Sequence, residues 1–241
     1  MNALTRRLAL LGHSLQRPLL RRRLRRVVLE ELDGLPLIVL PEVFNPVLFR
    51  TGTVLARTVA SSPWAEPRFG GSRALDLGTG SGIGALFAAR RGHHQVIAVD
   101  LNPEAVRCAR LNTLLHHLED RIEVREGDLF APVAGEAFDL VLFNPPFFRG
   151  VPKSRFDLAW RGTDVLERFA AGLPAALAPG GIALLLLSTD GDGPALLEAL
   201  GRLGFAIEPA ARRDFGNEVV TVYAVRRRRI DEHRCAIISL S

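Results

Sequence analysis

Asn144, Pro145, Pro146 and Phe147 directly follow the apolar run Phe138-Asp139-Leu140-Val141-Leu142-Phe143. Two prolines end strand pairing and hold the backbone extended, which leaves carbonyl oxygens free. The Pro145 carbonyl and the Asn144 side-chain oxygen can both accept from one NH2 group, while Phe147 offers a flat face for stacking. The nitrogen of an amide, or of a base's exocyclic amine, has a delocalised lone pair and is a poor nucleophile. Two acceptors that favour a more tetrahedral nitrogen would orient it for attack and stabilise the charge it develops.

A second constellation lies upstream, where Asp76-Leu77-Gly78-Thr79-Gly80-Ser81-Gly82 joins a strand to a helix. Its glycines let the backbone turn sharply and approach a ligand where a Cβ would clash. Asp100 ends the next strand, where a carboxylate can accept from both hydroxyls of a ribose. Asp128, within Gly127-Asp128-Leu129, ends the strand after that. Three such strand ends converge on a nucleoside-bearing ligand at the carboxyl edge of a parallel sheet.

Gly80-Ser81-Gly82-Ile83-Gly84-Ala85 also fits the dinucleotide pattern G-x-G-x-x-A, so a nicotinamide-dependent oxidoreductase is a rival reading. Asp76 opposes it, because a carboxylate there would repel a pyrophosphate and suits a cationic ligand part such as an amino acid's ammonium group. That rival also gives Asn144 to Phe147 no role. A non-catalytic nucleotide-binding RNA module, the third class, would tolerate loss of Asn144.

The glycine loop resembles the D/E-x-G-x-G-x-G loop of class I S-adenosylmethionine-dependent methyltransferases, and the resemblance runs over about residues 70–226. It implies a Rossmann-like fold with S-adenosylmethionine as cofactor. Asp76, Gly78, Thr79, Gly80 and Gly82 would hold the methionyl part, Asp100 the ribose and Asp128 the adenine amino group. Leu129 and Asn144 would join the cofactor-binding set.

Asn144-Pro145-Pro146-Phe147 resembles the N/D-P-P-Y/F/W motif of methyltransferases that act on planar nitrogens: protein glutamine, adenine N6 and guanine N2. Ala159-Trp160-Arg161-Gly162-Thr163-Asp164-Val165-Leu166-Glu167-Arg168-Phe169 resembles the HemK-type glutamine methyltransferases, the eukaryotic and archaeal branch above all. Pro41-Glu42-Val43-Phe44 and Thr51-Gly52-Thr53-Val54-Leu55 resemble the lead-in of ribosomal RNA guanine-N2 methyltransferases. Phe147 stands where glutamine enzymes usually carry Tyr, and Pro46-Val47-Leu48-Phe49 lacks their acidic pair.

The resemblance implies methyl transfer to a protein glutamine amide of the release-factor type, with a nucleobase amine in rRNA or tRNA as the alternative. Phe148 and Trp160 would line the substrate cleft. No metal is implied, and His93-His94 and His116-His117 read as surface helix ends.

Alternating apolar and helical stretches predict an α/β fold with strands at 73–77, 95–100, 121–125, 138–143, 182–188, 205–210 and 217–226. The last should run antiparallel, since its short connection leaves no room for a helical crossover. The expected architecture is a Rossmann-like seven-stranded methyltransferase sheet, preceded by a short basic helical element. Residues 4–32 read as two helices broken at Pro18, 35–46 as extended, and 51–61 and 194–203 as helices. The chain divides into a basic element (1–34), a catalytic domain (35–228) and a tail (229–241).

The 241 residues carry 31 Lys+Arg against 26 Asp+Glu, a net charge of +5, and 48% are hydrophobic, which excludes a disordered or fibrous chain. Arg6, Arg7, Arg17, Arg21, Arg22, Arg23, Arg25 and Arg26 stand without an acid among them. This Arg6–Arg26 stretch could contact RNA or the ribosome through phosphate oxygens, or act as a targeting segment. Cys108 and Cys235 form no disulfide framework, which suggests a reducing, cytoplasmic setting. No apolar run approaches the length of a membrane span.

Overall fold

The computed structural model describes residues 24–67, 71–216 and 218–228. It opens with a hairpin of Val28–Leu32 (β1) and Leu35–Val39 (β2), paired antiparallel. This corrects the helix expected up to residue 32. Asp33 and Gly34 both take positive φ, 53° and 77°, the backbone of a tight hairpin turn. Leu32, Leu35, Leu37 and Val39 then fall on the buried side. The hairpin thereby straddles the boundary at residue 34, and the helices expected over residues 4–23 lie outside the described residues.

Pro46–Phe49 (α1) and Thr51–Ser61 (α2) follow. Asn45 caps α1 by accepting from the Val47 and Leu48 N–H groups, and its amide donates to Glu30 on β1 at 2.7 Å.

The body is Arg73–Leu77 (β3), Ile83–Arg91 (α3), Gln95–Asp100 (β4), Pro103–Leu115 (α4), Ile122–Glu126 (β5) and Phe138–Phe143 (β6). Phe148–Arg149 (β7) and Arg161–Gly162 (β8) form a two-residue parallel ladder. Val165–Ala176 (α5), Leu177–Ser188 (β9), Gly193–Arg202 (α6), Phe205–Asp214 (β10) and Val219–Arg227 (β11) complete the chain.

Seven strands form one sheet in the order β10-β11-β9-β6-β3-β4-β5, and β11 alone runs antiparallel to its neighbours, as its short link requires. Strands covered by helices on both faces must be apolar throughout. Residues 74–77, 96–99 and 182–187 are accordingly buried. Alternate residues divide between two cores: Leu140 and Leu142 pack with Leu37, Leu55 and Leu86, whereas Val141 and Phe143 pack with Phe169 and Leu173.

Two strands run longer than expected. β9 starts at Leu177 through a register shift against Phe138 and Leu140, and β10 reaches Asp214 past an irregularity between Pro209 and Ala211. Proline has no N–H for the ladder, so a break there follows from its chemistry.

His93 is another correction. It is buried, with Nδ1 bonded to the Ser72 hydroxyl at 2.8 Å and Nε2 to the Ala65 carbonyl at 3.1 Å, and burial holds its pKa below the usual value. Among the described residues no helix is long and apolar enough to cross a membrane.

Candidate active site

The carboxyl ends of β3, β4, β5 and β6 open into one crevice of about 320 Å³. The loop after β3 is shaped by Gly78, Gly80 and Gly82, with φ of 63°, 57° and 85°, conformations that L side chains rarely adopt. A Cβ on Gly82 would also lie 3.2 Å from the backbone of Ala109 on α4.

Asp76 lies at the floor, buried. Its Oδ2 accepts from the Thr79 hydroxyl at 2.6 Å and from the Ala85 N–H at 2.9 Å, so it ties the glycine loop to the start of α3. Burial pushes its pKa up to about 6 against the pull of these two bonds, and Asp100 nearby adds to the rise. Gly84 is essential to this contact: a Cβ there would come within 2.7 Å of Asp76 Oδ1.

Asp100 joins two loops. Its Oδ2 accepts from Gly80 N–H at 2.8 Å and its Oδ1 from Asn102 N–H at 2.9 Å. Burial raises its pKa, opposed by these backbone donors. Asn102 in turn caps α4 through Glu104 N–H and donates to the Glu42 carbonyl at 3.0 Å. Asp128 pairs with Arg168 at 2.5 Å, and Leu129 beside it has φ 47°.

Asn144 follows β6, and its Oδ1 is buried without a hydrogen-bond partner among the described residues. A buried acceptor left unpaired costs about 1 to 3 kcal/mol, so such a group is rare and marks a place where a donor is expected. Pro146 lines the crevice with it, while Pro145 is buried.

The crevice thus brings together Asp76, Gly78, Thr79, Gly80, Asp100, Asp128, Leu129 and Asn144. Gly82 shapes the loop from behind. Phe147, Phe148 and Trp160 stand outside the lining. Phe147 packs on the hydrophobic core beneath β6. Phe148 lies under the Arg161 guanidinium, 5.6 Å from ring centre to Cζ. Trp160 packs on Phe44 and Phe49, with ring centroids 5.3 and 4.8 Å apart. The aromatic walls are instead Phe44 and Phe143.

Other lining residues escaped the sequence reading: Leu101 and Asn102 after β4, Gly52 and Leu55 on α2, and Arg155, Arg161 and Arg168. A signal existed for the first two, since Asn102-Pro103 is a helix cap directly after the strand-end acid. Arg161 and Arg168 lay within the stretch that resembles the glutamine methyltransferases, whereas Arg155 carried no signal, because its neighbours in sequence do not show which way the loop folds.

A seven-stranded sheet of this order, with a glycine loop and strand-end acids around one crevice, defines a class I S-adenosylmethionine-dependent methyltransferase. Residues 38–203 match the methyltransferase small domain, and the chain belongs to that family. The nicotinamide rival falls with this membership.

A protein of Methanocaldococcus jannaschii named "Putative protein N5-glutamine methyltransferase" is 30% identical over 190 residues, covering 76% of this chain and 90% of the relative. The release factor glutamine methyltransferase of Xylella fastidiosa is 38% identical over 122 residues, covering 45% of this chain, which spans only 44% of that enzyme's length. Among solved structures, the 16S rRNA N2 methyltransferase of T. thermophilus, in complex with AdoMet and guanosine, superposes with a TM-score of 0.63 at 22% identity. That match covers 84% of this chain and 50% of the other. At that identity the likeness is one of fold.

Proposed function

We propose that this chain transfers a methyl group from S-adenosylmethionine to the side-chain amide nitrogen of a protein glutamine, in a substrate of the release-factor type. The observation that carries the reading is Asn144 Oδ1, a buried acceptor at the crevice end of β6 without a donor among the described residues. The relatives named as glutamine methyltransferases support the same acceptor.

The residues fit the cofactor. The glycine loop with Asp76 and Thr79 would hold its methionyl part, the Asp76 charge facing the ammonium group. Asp100 already holds two backbone N–H groups, yet a carboxylate has lone pairs to spare for ribose hydroxyls. Asp128 would accept from the adenine amino group, with Leu129 beside the base. When bound, S-adenosylmethionine supplies a methyl group on a cationic sulfur. Asn144 Oδ1 and the Pro145 carbonyl would each take one N–H of the acceptor amide, orient its lone pair and stabilise the positive charge that the nitrogen develops. Phe44 would wall the acceptor side.

A second reading, methylation of a nucleobase amine in rRNA or tRNA, is favoured by Arg155, Arg161 and Arg168 at the crevice. Contact with RNA or the ribosome through Arg6–Arg26 belongs to both readings; of that stretch only Arg25 and Arg26 are exposed among the described residues. Either substrate is compatible with a cytoplasmic setting.

The test is incubation of the full chain with labelled S-adenosylmethionine and, separately, a purified release factor or bulk rRNA and tRNA. Mass spectrometry should find N5-methylglutamine in the protein. Label in nucleobases alone would replace the first reading by the second.

A further inference from the structure

Arg168 reaches two carboxylates from the first turn of α5. Its NH1 donates to Asp128 Oδ2 at 2.5 Å, and its Nε donates to Asp164 Oδ1 at 3.0 Å. Asp128 belongs to the loop after β5, on the nucleoside side of the crevice. Asp164 follows β8 and Thr163 and is the N-cap residue of α5. One guanidinium therefore ties the loop after β5 to the start of α5, and both Arg168 and Asp128 line the crevice.

The pair is open to solvent, with side chains 43% and 42% exposed. Ion pairs of that exposure add little to folding stability, so the effect of this one must be sought in what binds beside it. Asp128 Oδ1 has no hydrogen-bond partner among the described residues. A carboxylate with both oxygens free can rotate about its Cβ–Cγ bond and average its acceptor directions. With Oδ2 held by Arg168, Oδ1 points one way.

We infer that Arg168 is a positioning residue for recognition of the cofactor's base: it fixes Asp128 so that Oδ1 selects a purine carrying an exocyclic amino group over one carrying an oxo group. The inference rests on the assignment of Asp128 to the adenine made above. An amino group donates to the fixed oxygen. An oxo group in the same place sets lone pair against lone pair, and sites built to hydrogen-bond a substrate reject the mismatched analogue strongly.

The experiment is calorimetric titration of the full chain with S-adenosylhomocysteine and with S-inosylhomocysteine, its 6-oxo counterpart. The unaltered protein should favour the adenosyl form by about tenfold or more. Arg168→Ala should bring that ratio close to one, with a melting temperature near that of the unaltered protein. Arg168→Lys should restore part of it. Arg168→Gln, which keeps a donor without the charge, replaces the alanine variant if that one does not fold. A ratio unchanged in Arg168→Ala overturns the inference. No preference in the unaltered protein overturns the role of Asp128 and the inference with it, whereas failure to bind S-adenosylhomocysteine at all would instead strike the cofactor reading.

Discussion

Asn112 pairs with Ile38 as a neighbouring strand would: its Oδ1 accepts from the Ile38 N–H at 2.8 Å, and its Nδ2 donates to the Ile38 carbonyl at 2.7 Å. The same Nδ2 donates to the Ser81 carbonyl at 2.8 Å. One fully buried amide on α4 thus joins the N-terminal hairpin to the cofactor loop. Asn112→Ala would strand an N–H and two carbonyls in the interior. We expect a loss of about 3 kcal/mol in folding stability, with weaker S-adenosylhomocysteine binding as the Ser81 backbone loosens. Denaturant unfolding measures the first and calorimetry the second. A stability change below about 1 kcal/mol would mean that water fills the gap.

Asp76 makes folding depend on pH. Its folded pKa of about 6 lies above the ordinary 3.8, so the folded state holds a proton that the unfolded chain has released. That contribution is complete below about pH 4 and lost as pH rises through 6, on the order of 3 kcal/mol. Asp100, raised by burial too, acts in the same sense. Asp76→Asn removes the titration. The melting temperature of the native protein should therefore fall relative to that of the variant between pH 4 and pH 7, and a constant gap would show that Asp76 does not titrate there.

Gly84 and Gly78 separate close contact from backbone strain. A Cβ on Gly84 would sit 2.7 to 2.8 Å from the Asp76 carboxylate and force it off Thr79 and Ala85, whereas a Cβ on Gly78 meets nothing within 4 Å and suffers only from φ 63°. Overpacking of a tight interior costs about 1 to 3 kcal/mol, and a left-handed alanine about 1 to 2. In the free protein Gly84→Ala should thus destabilise at least as much as Gly78→Ala, and it alone should shift the Asp76 titration. A Gly84→Ala variant with the native pH profile would show that the added Cβ does not displace the Asp76 carboxylate.

The strands of the sheet were legible because parallel strands, covered on both faces, leave unbroken apolar runs such as Ile182 to Leu187. The glycine loop and the strand-end acids were legible because their spacing follows the strand-loop-helix unit. β1 was not: Val27, Val28 and Leu32 fit a helical period, and the Asp33-Gly34 turn that decides for a hairpin carries weight only once Leu35 to Val39 is seen as its partner. The side to which Phe147 points was hidden as well. Two prolines fix an extended backbone, but the ladder of Phe148 and Arg149 with Arg161 and Gly162 turns the chain so that Phe147 meets the core. Asn112 with Ile38 and Asp128 with Arg168 lie too far apart in sequence for spacing to pair them.

Asn144 should oppose activity to stability. Its Oδ1 is buried and has no hydrogen-bond partner among the described residues, so Asn144→Ala removes a desolvated acceptor without breaking a bond to any of them. We expect an unchanged or higher melting temperature together with turnover lowered roughly ten- to a thousandfold and near-normal affinity for S-adenosylhomocysteine. Functional groups held at a cost to folding behave in this way. Turnover and binding lost in equal measure would move Asn144 from the acceptor to the cofactor, and a marked fall in melting temperature would mean that its side chain holds the loop after β6 in place.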